Sequence, residues 1–421
     1  MPNTVERKKI ALCGIILGLY IKKKKQARVH RRVWCKDWLR KRGELGSHAT
    51  IYRELHDKPE DGFIQYMRMD VNSFHTLLGK VEPYITKQDT HLRQSICAEA
   101  RLEATLRFLA SGCSYTALQY STRISKQSLS LIIPETCKAI YTALRDDYLK
   151  TPTTPEEWMT VAHGFQRRWN FPNCLGAIDG KHVSIRAPRD SGSYFYNYKG
   201  NHSIVLLAIC DANCEFIYAD IGTNGRVSDG GVWDKCSVSS LIQNNTVGLP
   251  EDAILGSSSL PFPYVFVADD AFPLQRHIMK PFSHRSQDTR ERIFSYRLSR
   301  ARRTVENAFG ILANRFRVFH SPIDLPPSKI EYIVLACTSL HNFLIRDHVR
   351  HYTPEGSLDV EDLSVGQIIP GTWRQTPELP GTQRVIYNDM ADGKSVREQF
   401  MDYFNGEGAV SWQHLYIGEE G

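Results

Sequence analysis

The 421-residue chain has ten cysteines but no Cys-x-x-Cys pair. Cys210 and Cys214, four apart, are the closest two, and no histidine partner follows at zinc-finger spacing. A small zinc module is thereby excluded, and the cysteines read as reduced, mostly structural thiols of an intracellular protein. There is no internal repeat and no long low-complexity segment, which leaves out solenoid and propeller arrays. The apolar run Ile10–Ile21 (IALCGIILGLYI) has 12 residues, too few to cross a bilayer, so no membrane partner is expected. It has the first two regions of a signal peptide, but KKKKQARVHRR follows it instead of a small-residue cleavage site. The expectation is a short buried helix followed by a basic localisation patch.

What is present is ordinary bulk with an uneven charge. Hydrophobic residues make up 42% of the chain and charged residues 24%, enough for a sizeable core in two or three domains. The net charge is +7, yet residues 1–50 hold 14 Lys/Arg and 3 Asp/Glu, giving +11, so the rest sums to −4. A basic arm over 1–50, centred on Lys22, Lys23, Lys24, Lys25, Arg28, Arg31 and Arg32, suits a polyanionic partner or a nuclear-import signal.

Residues 34–90 read as helical, with Phe63, Met67, Phe74, Leu77 and Leu78 as apolar positions. Residues 98–148 give three consecutive helical segments. Gly112 closes the first, Ser114 opens the second, and Ser125 is an N-cap for the third. This is the layout of a helix-turn-helix, which would present Lys126, Gln127 and Ser130 near the N-terminal end of its second helix, where such motifs enter the major groove. An ordinary three-helix bundle has the same pattern. From 170 onward the texture changes. CLGAIDGKHVSIRAP, NHSIVLLAICDA, CEFIYADIG and YVFVADDAF read as strands, with a helical stretch near Gly231–Gln243. Two long helical segments follow, so the order is mixed α/β. Residues 352–390 carry several Pro and Gly and little periodicity, and SVREQFMDYF is a short helix.

Acids stand where apolar residues belong. In the first strand Leu175, Ala177, Val183 and Ile185 line one face, and Asp179 falls on the same face. An ionised carboxylate on an apolar stripe is costly unless it is paired or bound to a metal. The bland alternative is a hairpin turn at Asp179-Gly180. YVFVADDAF repeats the anomaly without a turn to excuse it: Asp269 continues the valine face and Asp270 the aromatic face. In the helix around RRTVENAFGILANRF, Val305, Phe309, Leu312 and Phe316 form an inward stripe. Glu306 lies at its border, Gly310 leaves room above the same surface, and Arg302, four residues earlier, is an ordinary ion-pair partner for Glu306. Two strand-end aspartates and a helix glutamate can hold two Mg2+ or Mn2+ ions for phosphodiester cleavage or strand transfer.

LGAIDGKHV, NYKGNHSIVLLAICDANCEFIYADIG, SDGGVW, VADDAFPL and RRTVENAFGIL, in that order, resemble the PIF/Harbinger transposases and the nucleases derived from them. RRVWCKDWLRKR and VREQFMDYFNGEGAVSWQ share the likeness. The resemblance implies an α/β, RNase H-like catalytic domain with a DDE triad over 160–350. Before it come the basic arm (1–50) and a helical, helix-turn-helix-like DNA-binding domain (51–150). An extended segment with a terminal helix (351–421) follows. Residue by residue, the triad falls on Asp179, Asp269 and Glu306. Asp270 is the fallback for the second acid, because Ala268 stands where the family has Gly. Asp229 of SDGGVW matches a further family acid, with a helix N-cap as its plain alternative. The implied activity is a metal-dependent endonuclease/transposase that cuts transposon terminal inverted repeats and joins them to target double-stranded DNA. The implied partner is a Myb-like/trihelix DNA-binding protein, with a homodimer or higher oligomer and nuclear action. A cytoplasmic pool is compatible with absence of that partner. The contrasting reading is a catalytically silent, transposase-derived DNA- or protein-binding factor.

Overall fold

The computed structural model describes residues 12–22, 35–57, 61–91, 94–244, 246–258, 260–283, 285–347, 352–383 and 389–417. The N-terminal half is helical. Its main elements are α1 (Val71–Ile85), α2 (Ala98–Ser111), α3 (Tyr115–Thr122) and α4 (Lys126–Tyr148). The expected punctuation is in place. Gly112 ends α2 in the left-handed region at φ 64°, where a side chain would be strained. The Ser114 and Ser125 hydroxyls accept from the amides of Ala117 and Ser128 and so cap α3 and α4. Along α4, Leu129, Ile132, Ile133, Cys137, Ile140 and Leu144 are buried. In its first turn Lys126 and Gln127 are exposed, whereas Ser130 is half-buried and its carbonyl accepts from Lys329 Nζ at 3.3 Å. A helix α5 (Pro155–Trp169) follows, one that no expectation from the sequence marked. Thr154 caps it and Pro155 opens it, a favourable start because proline lacks the amide that would go unpaired there.

The mixed sheet has five strands in the order β3-β2-β1-β4-β5: β1 (Cys174–Ser184), β2 (Ser203–Cys210), β3 (Phe216–Asn224), β4 (Val265–Val267) and β5 (Ile278–Met279). β1, β2 and β3 are antiparallel neighbours, and β1, β4 and β5 run parallel. Asp179-Gly180 is not a turn. β1 runs straight through it, with Asp179 opposite Ala208 and Gly180 opposite Leu207. The expected single apolar face is also corrected. A register shift between Cys174 and Gly176 turns Leu175 to the other side of the sheet, so Leu175 packs with Trp158, Val205 and Phe266, while Ala177 and Val183 pack with the helical core. The short α6 (Asp229–Trp233) follows β3. The long α7 (Thr289–Arg315) and α8 (Pro327–Asp347) cover the sheet. On α7 and just beyond it, Val305, Phe309, Leu312 and Phe316 are all buried, as the spacing predicts. One contiguous core joins α1, α2 and α4 to this face of the sheet.

Two sequence expectations change here. The apolar segment at 12–22 is helical, but Leu12, Ile15, Ile16, Leu17 and Leu19 are exposed, not buried. Apolar content alone predicts burial only where a partner surface is within reach. Lys22 is the last described residue of that helix, and Lys23, Lys24, Lys25, Arg28, Arg31 and Arg32 lie outside the described residues. Nor are residues 352–383 simply extended. Val360–Asp362 and Gln367–Ile369 form a hairpin, a 3-10 turn spans Thr372–Gln375, and α9 (Ala391–Asn405) follows. Buried arginines of α7 hold this segment down: Arg300 and Arg303 both donate to the Glu361 carboxylate. The Trp373 indole donates to Asn307 Oδ1 at 2.9 Å, and its ring fills the space above Gly310, where even a Cβ would collide.

Candidate metal centre

Three carboxylates converge midway along β1 and just past the C-terminal end of β4. Asp179, Asp229 and Asp269 each offer an oxygen, and these three atoms lie within 4.8 Å of one another. The topology explains two of them. β1 and β4 are parallel neighbours with Ala177 opposite Val267, so Asp179 and Asp269, each two residues further on, stand side by side. Asp179 is 3% exposed, and its Oδ1 accepts from the Gly180 amide at 2.9 Å. The Asp269 Oδ1 accepts from the Ala271 amide at 2.9 Å, which fixes the carboxylate on the turn after β4.

Asp229, 2% exposed, arrives from the first residue of α6. It is not the N-cap, since the Ser228 hydroxyl accepts from Gly231 in that role. Its Oδ1 is buried without a hydrogen-bond partner. That atom lies 1.9 Å from where a Cβ on residue 180 would stand. Gly180 is therefore required by close approach of a second acid, not by a turn. The glycine was the visible signal, and turn chemistry was the wrong explanation for it.

The electrostatics fit a cation. Burial, and then the Asp179 and Asp269 charges, push the Asp229 carboxyl well up. Burial and Asp179 push the Asp269 carboxyl up to about 6. Two side chains partly compensate. Lys181 Nζ sits 2.7 Å from Asp179 Oδ2. Burial pulls that ammonium down, but Asp179 and Glu306 more than offset this and hold it above its ordinary range. Arg302 is likewise kept protonated against burial by Glu306, Asp179 and Asp269. Four carboxylates against two cations leave two negative charges when all are ionised. Hard oxygen donors and a double negative charge suit a divalent ion such as Mg2+ or Mn2+.

Glu306 stands apart from the three aspartates. It is ion-paired to Arg302, the ordinary partner its spacing allowed, and it lines a cavity of about 100 Å³ with Lys181, Phe309, Trp373 and Glu378. Asp270, next to Asp269 in the chain, is not one of the three clustered acids. His182, a motif residue with no predicted role, is fully buried. Its Nδ1 meets the Ser203 hydroxyl at 2.9 Å, its amide donates to Pro380 O at 2.7 Å, and burial lowers its pKa to about 4. Pro380 and Thr382 belong to the C-terminal segment that closes beside β1, a long-range contact that no local pattern announces.

Residues 178–342 match the family described as DDE superfamily endonuclease. The protein named "Putative nuclease HARBI1" from Homo sapiens is 24% identical over 298 residues, covering 70% of this chain and 81% of the relative. The protein of the same name from Xenopus laevis is 25% identical over 321 residues, covering 75% and 87%. "Protein ALP1-like" from Arabidopsis thaliana is 23% identical over 248 residues, covering 58% and 60%. No solved structure matches.

Proposed function

We propose that the chain, whose residues 178–342 match the DDE superfamily endonuclease family, is a Harbinger-derived, divalent-metal-dependent DNA endonuclease that cuts element ends and joins them to target DNA. The observation that carries this reading is the convergence of Asp179, Asp229 and Asp269 within 4.8 Å, with Lys181 and Arg302 as built-in counter-ions. The sheet order, with three antiparallel strands and then two parallel ones, supports an RNase H-like catalytic unit.

In this reading Asp179, Asp229 and Asp269 hold Mg2+ or Mn2+, and Glu306 completes the DDE set with Asp179 and Asp269. A pair of such ions, when bound, supplies activation of the attacking oxygen and neutralisation of the leaving one. The protein's own contribution is placement. The parallel β1–β4 pairing sets two acids level, Gly180 admits the third, and the Ala271 amide aims Asp269. Lys181 and Arg302 partly offset the repulsion among the acids.

Other parts of the chain suit the same task. The basic arm with Lys22–Lys25, Arg28, Arg31 and Arg32 would neutralise phosphates and direct nuclear entry. Lys126 and Gln127, exposed at the start of α4, and the half-buried Ser130 are the base-reading candidates. A Myb-like partner, a dimer or larger assembly, and nuclear localisation complete the proposal. Nicking of supercoiled DNA by the purified full chain tests it. Cleavage in Mg2+ or Mn2+ that is lost in EDTA and in Asp179→Asn, Asp269→Asn and Glu306→Asn, with DNA binding retained, is the expected result. Equal cleavage by wild type and the Asp179 variant would remove it.

A further inference from the structure

The loop between β1 and β2 presents an arrangement that the metal centre does not use. In SYFYNYKGNH the side chains alternate. Phe195 is half-buried against the core and Asn197 is buried, while Tyr194, Tyr196 and Tyr198 point outward with 58%, 48% and 50% of their surface exposed. Three large rings half in water are an unusual concentration for a surface loop, since aromatic area is normally spent on cores and interfaces.

The loop is rigid. The Ser203 amide donates to Phe195 O at 2.9 Å and the Asn197 amide to Asn201 O at 2.7 Å. Asn197 Oδ1 accepts from the amides of Lys199 and Asn201, and its Nδ2 donates to the Ser203 hydroxyl at 2.8 Å. Ser203 in turn meets His182 of β1. These bonds set the backbone from which the rings project, which reduces the entropy lost on binding. The loop also adjoins the acids. The Tyr198 hydroxyl donates to Gly381 O at 3.1 Å, and Gly381 bridges to Lys181, two residues beyond Asp179. Its charge is positive: residues 186–202 contain Arg186, Arg189 and Lys199 against Asp190 alone. Lys199 lies over the Tyr198 ring at 5.5 Å, and the exposed Arg226 follows Gly225, which packs on Ser203 and Asn197.

We propose that Tyr194, Tyr196 and Tyr198, with Lys199 and Arg226, form a stacking platform for unpaired nucleobases of a DNA strand leading into the metal centre. Rings that stack on any base, backed by cations for the phosphates, are the chemistry of sequence-tolerant single-strand binding. Charge complementarity and continuity with Asp179 through Lys181 and Gly381 select this occupant. The proposal rests on the endonuclease reading, and it adds that the substrate is locally unpaired next to the cut.

Fluorescence anisotropy with a labelled oligothymidine and with a blunt duplex of equal length tests it, using the full chain. Tyr194→Ala/Tyr196→Ala/Tyr198→Ala should weaken oligothymidine binding by about a hundredfold, because each of the three missing stacks costs about fivefold or more. Duplex binding should change by less than about threefold on the same reasoning, since it depends on phosphate contacts. The matching triple Tyr→Phe variant keeps the rings and should bind oligothymidine as wild type does. If the triple Ala variant melts early, the three single Ala variants carry the same comparison. Unchanged oligothymidine binding in the Ala variants overturns the platform. Wild type that binds and nicks duplex but ignores oligothymidine also overturns it, and leaves the endonuclease reading standing. Wild type that binds neither probe removes both.

Discussion

Replacing Gly180 by Ala is the sharpest single perturbation of the metal centre. The new methyl would stand 1.9 Å from Asp229 Oδ1, 3.0 Å from Asp229 Cγ and 3.4 Å from Thr382 Cγ2. Ordinary contact begins near 3.4 Å, so the carboxylate must retreat by about 1.5 Å. Residue 180 is fixed by its pairing in mid-sheet and α6 is anchored by the buried Val232 and Trp233, so the Asp229 side chain is what gives. Overpacking of this kind costs about 1–3 kcal/mol. Moving a buried carboxylate away from two others offsets part of that, so the metal-free melting temperature should fall only modestly. The response to metal should fall much more. Each tenfold loss of affinity at saturating Mn2+ removes about 1.4 kcal/mol of metal-dependent stabilisation. Thermal melts of wild type, Gly180→Ala, Asp229→Ala and the double variant, each with a Mn2+ titration, measure both terms. With Asp229 shortened, the methyl has space, so the cost of Gly180→Ala should shrink by about 1 kcal/mol or more. An identical cost in both backgrounds, together with a wild-type Mn2+ response in Gly180→Ala, would refute the placement of Asp229.

Asp269→Asn should abolish metal-dependent nicking while Asp270→Asn keeps most of it; the reverse order would move the assignment one residue along. Arg302→Met leaves Glu306 unpaired and removes a counter-ion, so metal-free stability should drop by about 1–3 kcal/mol, less than for a fully buried pair because Glu306 is partly exposed. Its Mn2+-induced stabilisation should grow, and a smaller Mn2+ response than wild type would contradict the counter-ion role. In EDTA the Asp269 carboxyl, held up at about 6 in the folded protein against an ordinary 3.8, binds its proton more tightly folded than unfolded. Its stabilising contribution is present at low pH and is lost as pH rises through about 6, so metal-free stability should decline over that window and Asp269→Asn should flatten the decline. Neutralising Lys22–Lys25, Arg28, Arg31 and Arg32 should weaken DNA binding across sequences and lower its salt dependence, by about 0.9 in the log–log slope for each phosphate left without its cation; an unchanged slope would mark the arm as solvated charge.

Much of the sheet-bearing half was readable because its periods are strict. The α7 stripe at Val305, Phe309, Leu312 and Phe316 is buried as spaced, and the acids at Asp179 and Asp269 stood out against apolar strands. What failed did so for identifiable reasons. Leu175 sits on the far face because a register shift after Cys174 breaks the alternation, and such shifts leave no local signature. β5 has only two residues, too short to show a period. The Asp179-Gly180 pair carries two meanings, turn or close approach, and only the arrival of Asp229 decides between them. Trp373 over Gly310 and the Glu361 clamp on Arg300 and Arg303 join residues some 60 positions apart. The room above Gly310 was legible in the sequence, but the ring that fills it was not. At 12–22 the apolar pattern identified the helix but not its exposure.

Everything proposed for catalysis turns on a divalent ion held by Asp179, Asp229 and Asp269. Nicking of supercoiled DNA by the full chain, followed across a Mn2+ titration alongside Mn2+ uptake in the same samples, probes that dependence without an intermediate step. Wild type should nick with a midpoint that coincides with uptake, and Asp179→Asn should lose both together. Nicking that proceeds without Mn2+ uptake, or uptake that survives unchanged in Asp179→Asn, would contradict the metal centre as built from these three acids.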